Sequence, residues 1–362
     1  MAKIDAFFKV MCEQNASDMH LAVGAAPILR IHGALRKVDY PPLTDLVLRP
    51  MLYEMLSEKQ IERVEKPKDL DFSYSAPGIA RFRSNIFTKS SGLAAAFRRI
   101  PFQISTLAQV SAPDTFKQMC EYKSGLVLVT GPTGCGKSTT LAAMIDHINK
   151  TTNLHIITLE DPLEFVHEPK GCMISQREIG THCEDFASGL RSSLREDPNV
   201  VLVGEMRDLD TIQLAISAAE TGHLVFATLH TASAPKTVDR IIDVFPTDRQ
   251  SQVRTMLSES LRAVISQQLL PRVDGRSRVA AYEILIANPA IRSLIREQKT
   301  FQISSMISTG RKEGMQTMDQ ALRELVQNGQ ITSATANRFA DNPSMFPGGR
   351  PAAAMTPQLA AA

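Results

Sequence analysis

The residues Gly131-Pro132-Thr133-Gly134-Cys135-Gly136-Lys137-Ser138-Thr139 carry the densest chemical pattern in the chain. Glycines at 131, 134 and 136 let successive backbone N–H groups converge on phosphate oxygens at the start of a helix, whose dipole favours the same negative charge. Lys137 reaches the β- and γ-phosphates as a point charge, and the Ser138 hydroxyl is placed to ligand Mg²⁺. Such a phosphate-cradling loop needs a strand before it and a helix after it. The apolar run at 126–130 and the helical pattern at 140–145 supply both. Cys135 lies inside this anion-binding loop, beside Lys137, where its thiol is expected to acidify and react readily with alkylating agents.

More polar groups stand where apolar strands end. The run 156–159 terminates in Glu160 and Asp161, and the run 200–203 delivers Glu205. Ligands of open α/β sheets bind at the carboxyl ends of their strands. A carboxylate there can orient or deprotonate the attacking water and help hold hydrated Mg²⁺. Glu205 has the ordinary alternative of a helix cap or a surface pair, and Asp161-Pro162 reads equally as a turn. Two histidines flank the run 224–229. His223 opens it and His230 closes it, so His230 is the better placed. Arg195 is a candidate for an arginine reaching the phosphates within the chain.

The elements that must hold these groups follow from periodicity. Residues 4–14 form a helical stripe through Ile4, Phe7, Phe8 and Met11. A turn at His32-Gly33, a helix over much of 51–64 and strands at 70–74, 81–88 and 93–99 complete a small α/β unit of about a hundred residues. Two prolines and little periodicity mark 100–113 as a linker. From 114 onward, strands and helices alternate, which implies a mostly parallel sheet wrapped by helices. After 279–286 the pattern is helical, and the tail 342–362 lacks a burying pattern and is expected to be disordered.

A length of 362 residues suggests roughly two domains. The 40 basic and 38 acidic residues leave a net charge of +2, without the excess expected of a nucleic-acid binder. Five cysteines without a C-x-x-C pair indicate neither a disulfide framework nor a zinc site. No run of about 18 apolar residues occurs, so direct membrane insertion is not expected.

Taken together, the loop at 131–139, Thr158-Leu159-Glu160-Asp161-Pro162-Leu163-Glu164, the stretch 194–208 and Thr221 to Ala232 resemble the secretion ATPase superfamily. They match its P-loop, aspartate box, Walker B segment and histidine box. Ser17-Asp18-Met19-His20-Leu21, Gln176-Arg177-Glu178-Ile179-Gly180, 290–296 and 314–319 extend the likeness, which is strongest to the type IV pilus retraction branch. The family commonly has Ser at Cys135 and Asp at Asn199, and its Ala-Ile-Arg-Ala-Leu-Leu-Arg pattern appears here as Ala290-Ile291-Arg292-Ser293-Leu294-Ile295-Arg296. These departures remove no group that handles phosphate, magnesium or water.

The resemblance implies an α/β architecture with a PAS-like domain at 1–99, a linker at 100–113, and a RecA-like P-loop ATPase domain with C-terminal helices at 114–341. It further implies a cytoplasmic homohexamer that hydrolyses ATP with Mg²⁺ and is peripheral to the inner membrane through a platform protein of the pilus machine, with paralogous retraction ATPases as further partners. The implied catalytic set is Glu205, Glu160, His230, Arg83, Arg98 and Arg195, with Ser138, Glu160 and Glu205 about the metal, partly through water. Arg83 and Arg98 match positions that contribute arginines to a nucleotide site, and on that basis are expected to act on a neighbouring subunit. The segment 290–296 is the one associated with retraction rather than hydrolysis. Rival expectations are a pilus assembly or type II secretion ATPase, a nucleotide-gated scaffold without turnover, and a DNA-translocating ring.

Overall fold

The computed structural model describes residues 3–31, 33–66, 69–100, 103–275 and 277–346. The chain opens with helix α1 (Asp5–Glu13), followed by strands β1 (Asp18–Ala22), β2 (Ile28–Ile31) and β3 (Ala34–Lys37). It continues through α2 (Asp45–Tyr53), α3 (Glu58–Glu65), β4 (Leu70–Ala76), β5 (Ala80–Lys89) and β6 (Gly92–Ile100). These strands form an antiparallel six-stranded sheet in the order β3-β2-β1-β6-β5-β4. The alternation of buried and half-buried residues along β5 sends Phe82 and Ile86 to one face. There Phe8 of α1 stacks on Phe82 at 3.9 Å and meets Phe97 edge-on at 5.1 Å, and Leu48 and Leu52 of α2 join the same cluster.

Among the described residues no helix of this unit covers the opposite face. Register places Arg30, Asp18, Arg98, Arg83 and Ser73 directly across from one another on β2, β1, β6, β5 and β4. Directly opposed residues share a face of the sheet.

The helix expected over much of 51–64 is two helices. Ser57 and Gln60 form a capping box that starts α3, and the chain turns between α2 and that cap. The turn expected at His32-Gly33 involves His32, which is outside the described residues.

After α4 (Thr115–Cys120) come β7 (Gly125–Thr130), α5 (Lys137–Thr151), β8 (His155–Glu160), β9 (Met173–Glu178), α6 (Phe186–Ser193) and β10 (Val200–Val203). Then follow α7 (Leu209–Glu220), β11 (Leu224–Leu229), α8 (Ala234–Asp243), α9 (Thr247–Ser260), β12 (Leu261–Pro271) and β13 (Arg278–Ile286). They form a seven-stranded sheet in the order β13-β12-β7-β11-β10-β8-β9, parallel except for β13. Every residue of β7, β10 and β11 is buried. That is the burial of a parallel sheet covered on both faces, and the side chains alternate accordingly. Leu126, Leu128, Val201 and Val225 pack with α7, α8 and α9, whereas Val127, Val129, Leu202 and Phe226 pack with α4 and α5.

Helices α10 (Pro289–Arg296), α11 (Ile303–Thr309), α12 (Met318–Gln327) and α13 (Ser333–Phe339) follow. The expectation of a disordered tail fails at its start. The Asp319 carboxylate accepts from the backbone N–H groups of Asp341 and Asn342 at 2.8 and 3.0 Å, a short 3₁₀ turn spans Pro343–Met345, and Phe346 is buried against α12 and α13. The tail at 347–362 and Pro101 of the linker lie outside the described residues.

The two sheets meet at a buried carboxylate. Glu178, at the end of β9, accepts from the Ser73 hydroxyl at 2.5 Å and the Leu163 N–H at 3.0 Å, and the Arg81 guanidinium lies 3.7 Å away. Arg81 donates to the Leu163 carbonyl at 3.3 Å, and Arg83 lies 3.6 Å from Glu164. The first sheet thus grips the segment that follows Glu160.

Candidate functional site

Parallel strands send all their outgoing loops to one edge, and the ends of β7, β8, β10 and β11 gather the candidate groups there. The loop 131–136 leaves β7, the central strand, and Gly136 sits in the left-handed conformation at φ 94° to begin α5. Gly131 has φ 140°, and a Cβ there would stand 2.3 Å from the Gln267 carbonyl and 2.8 Å from Cys135 Sγ. Only glycine fits between β12 and the loop. Ser138 is exposed in the first turn of α5 and Lys137 is buried beside it. The Lys137 ammonium donates to the carbonyls of Gly131 at 2.8 Å and Pro132 at 3.2 Å, and burial lowers its pKa. Exposed Thr133 and Gly134 form the crest of the cradle.

Glu205 and His230, from the ends of β10 and β11, complete a line of polar contacts with Lys137. Lys137 Nζ is 3.5 Å from His230 Nδ1, and His230 Nε2 is 3.1 Å from Glu205 Oε1. The other Glu205 oxygen accepts from Arg207 at 2.7 Å. Burial works against the Glu205 anion, yet Arg207 and His230 hold its carboxyl below the usual range. It is an anion at neutral pH, suited to accept a hydrogen bond from water. His223 lies at the far end of β11, where its Nδ1 is 3.0 Å from the Ala218 carbonyl.

Glu160 is held apart from this line. Its Oε1 accepts from Thr158 at 2.7 Å and Gln176 at 3.3 Å, and burial pushes its carboxyl up to about 7. Among the described residues no hydrogen bond or ion pair joins it to Lys137, His230 or Glu205. Arg195 is exposed in the turn after α6. Arg83 faces Glu164 of its own chain, and Arg98 is held by Asp18 at 2.8 Å.

The expectation for Cys135 is overturned. The residue is buried at 3% exposure, and desolvation pushes its thiol up, outweighing Lys137. Position in an anion loop acidifies a thiol only where the thiolate is solvated.

Two neighbours escaped the sequence reading. Gln267, buried on β12, donates to the Cys135 carbonyl at 2.7 Å and accepts from the Thr140 hydroxyl at 2.8 Å, bracing the loop from the side. Nothing in a Ser-Gln-Gln run within an apolar strand marks it. Arg207 had a signal, its place two residues after Glu205 at a strand end. Beside Gly136, Thr139 and Thr140 opens a cavity of ≈ 230 Å³, walled on the far side by Val110, Leu269 and Tyr282.

Segment 290–296 is α10, capped by Asn288, whose side chain accepts from the Ile291 N–H at 2.9 Å. Ile291 and Ile295 are buried, while Arg292 Nε donates to the Ala287 carbonyl and Arg296 to the Ser258 hydroxyl.

Residues 1–356 match the family described as type II/IV secretion system protein. The chain is 51% identical over 334 residues to the "Type IV pilus retractation ATPase PilT" of Pseudomonas aeruginosa, covering 92% of this chain and 97% of that protein. It is 53% identical over 316 residues to the "Twitching motility protein" of Neisseria gonorrhoeae, with 87% and 84% covered. The crystal structure of the pilus retraction motor PilT with bound ADP superposes with a TM-score of 0.88 at 46% identity, over 95% of this chain and 98% of that one.

Proposed function

The chain belongs to the type II/IV secretion system protein family, and on that premise we propose that it is a motor ATPase that retracts a type IV pilus and so drives twitching motility. It is an ATP hydrolase. The observation that carries the chemistry is the line from Lys137 through His230 to Glu205 at the edge of the parallel sheet.

ATP is the substrate. Its phosphates fit the glycine cradle, where an added Cβ at Gly131 would strike β12, and the cavity next to Gly136 and Thr139 has room for the sugar and base. The exposed Ser138 hydroxyl at the same helix start is suited to hold Mg²⁺ directly, with Glu205 and Glu160 reaching it through water. That ion would neutralise charge on the β- and γ-phosphates. Lys137 exchanges the loop carbonyls of Gly131 and Pro132 for phosphate oxygens. Phosphoryl transfer depends on position and charge more than on proton abstraction, so the ionised Glu205 acts by orienting water. His230, between Lys137 and Glu205, links the state of the phosphates to the orientation of that carboxylate.

The two sheets with their helices serve as an N-terminal PAS-like domain and a RecA-like domain, joined through 100–113. Six copies form a ring, in which Arg98 and Arg83 of one copy approach the phosphates bound by the next. The ring docks on a platform protein of the inner membrane, and paralogous ATPases share the work.

A phosphate-release assay on the purified chain separates a motor from a nucleotide-gated scaffold. In cells, a deletion strain should become hyperpiliated and stop twitching. Bald cells would overturn the retraction reading in favour of assembly.

A further inference from the structure

The motif Ser17-Asp18-Met19-His20-Leu21 lies far from the phosphate loop in sequence, and the mechanism above gives it no task. It leads into β1, in the middle of the six-stranded sheet, where Met19 and Leu21 join the core and Asp18 takes the face that no helix of the same unit covers among the described residues. Asp18 is 9% exposed, although it is charged. A carboxylate taken out of water in this way has to be paired.

Its pairing is specific. The Ser17 hydroxyl donates to Oδ2 at 2.7 Å, and Arg30 Nε stands 3.8 Å from the same oxygen. Oδ1 accepts from Arg98 Nε at 2.8 Å. Burial opposes the anion, but Ser17 and Arg98 outweigh it and hold the Asp18 carboxyl below its ordinary range.

Because Asp18 engages Arg98 through Nε, the two Nη groups remain available for another anion. No ion pair involves them among the described residues, and the Arg98 side chain is 70% exposed. Arg83, its cross-strand neighbour, is engaged instead with Glu164 of its own chain at 3.6 Å. Of the two arginines, Arg98 alone has its fork both exposed and fixed at the root.

We propose that Asp18 is a positioning residue for phosphoryl transfer, clamping Arg98 by Nε so that its paired Nη groups are presented to a phosphate bound by a neighbouring copy of the chain. The proposal rests on the reading that Arg98 acts between copies. An unrestrained arginine loses rotamer freedom when it docks, whereas a fork already held at Nε loses less and meets phosphate in bidentate geometry. Asp18 also separates Arg30 from Arg98, like charges that the register would otherwise set on either side of an uncharged residue.

The assembled full-length enzyme tests this through Asp18→Asn, Arg98→Ala and the double variant, measured for kcat, KM and melting temperature. Asp18→Asn should lower kcat about tenfold with KM and melting temperature near wild type, the size of one lost orienting contact. Arg98→Ala should lower it at least as far, and the double variant should match Arg98→Ala alone, because Asp18 acts only through that side chain. Unchanged kcat in Asp18→Asn, or a loss that multiplies with that of Arg98→Ala, overturns the positioning role and leaves the role of Arg98 standing. Unchanged kcat in Arg98→Ala removes the contact between copies itself, and the proposal with it. If Asp18→Asn fails to fold, Ser17→Ala loosens the same carboxylate without changing charge. It should lower kcat about threefold on the same reasoning, and full activity there overturns the proposal.

Discussion

The two sheets solve different problems with the same alternation of side chains. In the seven-stranded sheet both faces are covered, so chemistry is confined to the edge where β7, β8, β9, β10 and β11 all end. The antiparallel six-stranded sheet has no such edge, because its strand ends alternate in direction. It offers instead a face that no helix of its own unit covers among the described residues, on which Arg30, Asp18, Arg98 and Arg83 stand in a row and whose β4–β5 end meets the second unit. One sheet gathers its polar groups at an edge, and the other spreads them over a face.

The sharpest way to break that division is Glu205→Gln. The amide keeps the shape but loses the charge that orients water, so turnover should fall by about two to three orders of magnitude while ATP binding is retained. Near-normal phosphate release would remove the chemistry from the strand edge. On the other sheet, adjacent residues of β5 should behave oppositely. Phe82→Ala removes a ring stacked on Phe8 in the core and should cost about 3–5 kcal/mol of unfolding free energy in denaturant titrations. Arg83→Ala, on the open face, should cost under about 1 kcal/mol after solvent screening. Equal losses would mean that the outer face is as structural as the inner one.

Glu283 probes how the parallel sheet tolerates charge away from its edge. Its carboxylate accepts from the Ala234 N–H, at the start of α8, at 2.6 Å, and burial pushes it up to about 7. The folded state therefore keeps this proton through a range in which the unfolded chain, titrating near 4.5, has already lost it. The stability due to the group is full below the unfolded value and is lost as pH rises towards about 7. Glu283→Gln should thus gain on wild type by on the order of 2 kcal/mol between about pH 5 and about pH 8. A pH-independent difference in chemical denaturation would exclude this.

The smallest expected effect is at α10. Arg292→Ala with Arg296→Ala removes contacts to the Ala287 carbonyl and the Ser258 hydroxyl, both away from the phosphate loop. ATP turnover and ring assembly should stay within about threefold of wild type, while twitching is lost. Normal motility, or a collapse of turnover and assembly together, would withdraw the segment from coupling.

Residues that act through their own backbone pattern were legible in the sequence. The cradle 131–139 and the apolar runs ending at Glu160, Glu205 and His230 declare themselves through glycine spacing and strand periodicity. What escaped depends on partners distant along the chain. Strand β9, Met-Ile-Ser-Gln-Arg-Glu, has no strand composition, and pairing with β8 makes it one. Gln267 acquires its task only when β12 is laid beside β7. Cys135 departs from expectation because Lys137, two residues away in sequence, is outweighed by neighbours in space that exclude water. Phe346 looked like part of a featureless tail until the Asp319 carboxylate fixed the backbone ahead of it.

Glu178 has a mechanical consequence. A face-to-face apolar seam between two bodies lets them slide, since dispersion contacts are interchangeable. A seam pinned by the buried Glu178 carboxylate, which grips Ser73 on one body and the Leu163 N–H on the other, and flanked by the Arg81 and Arg83 contacts to Leu163 and Glu164, resists translation, because hydrogen bonds weaken steeply once misaligned. A change at the end of β8 therefore reaches the first sheet through the segment that follows Glu160, which Arg81 and Arg83 hold directly and Ser73 holds through Glu178.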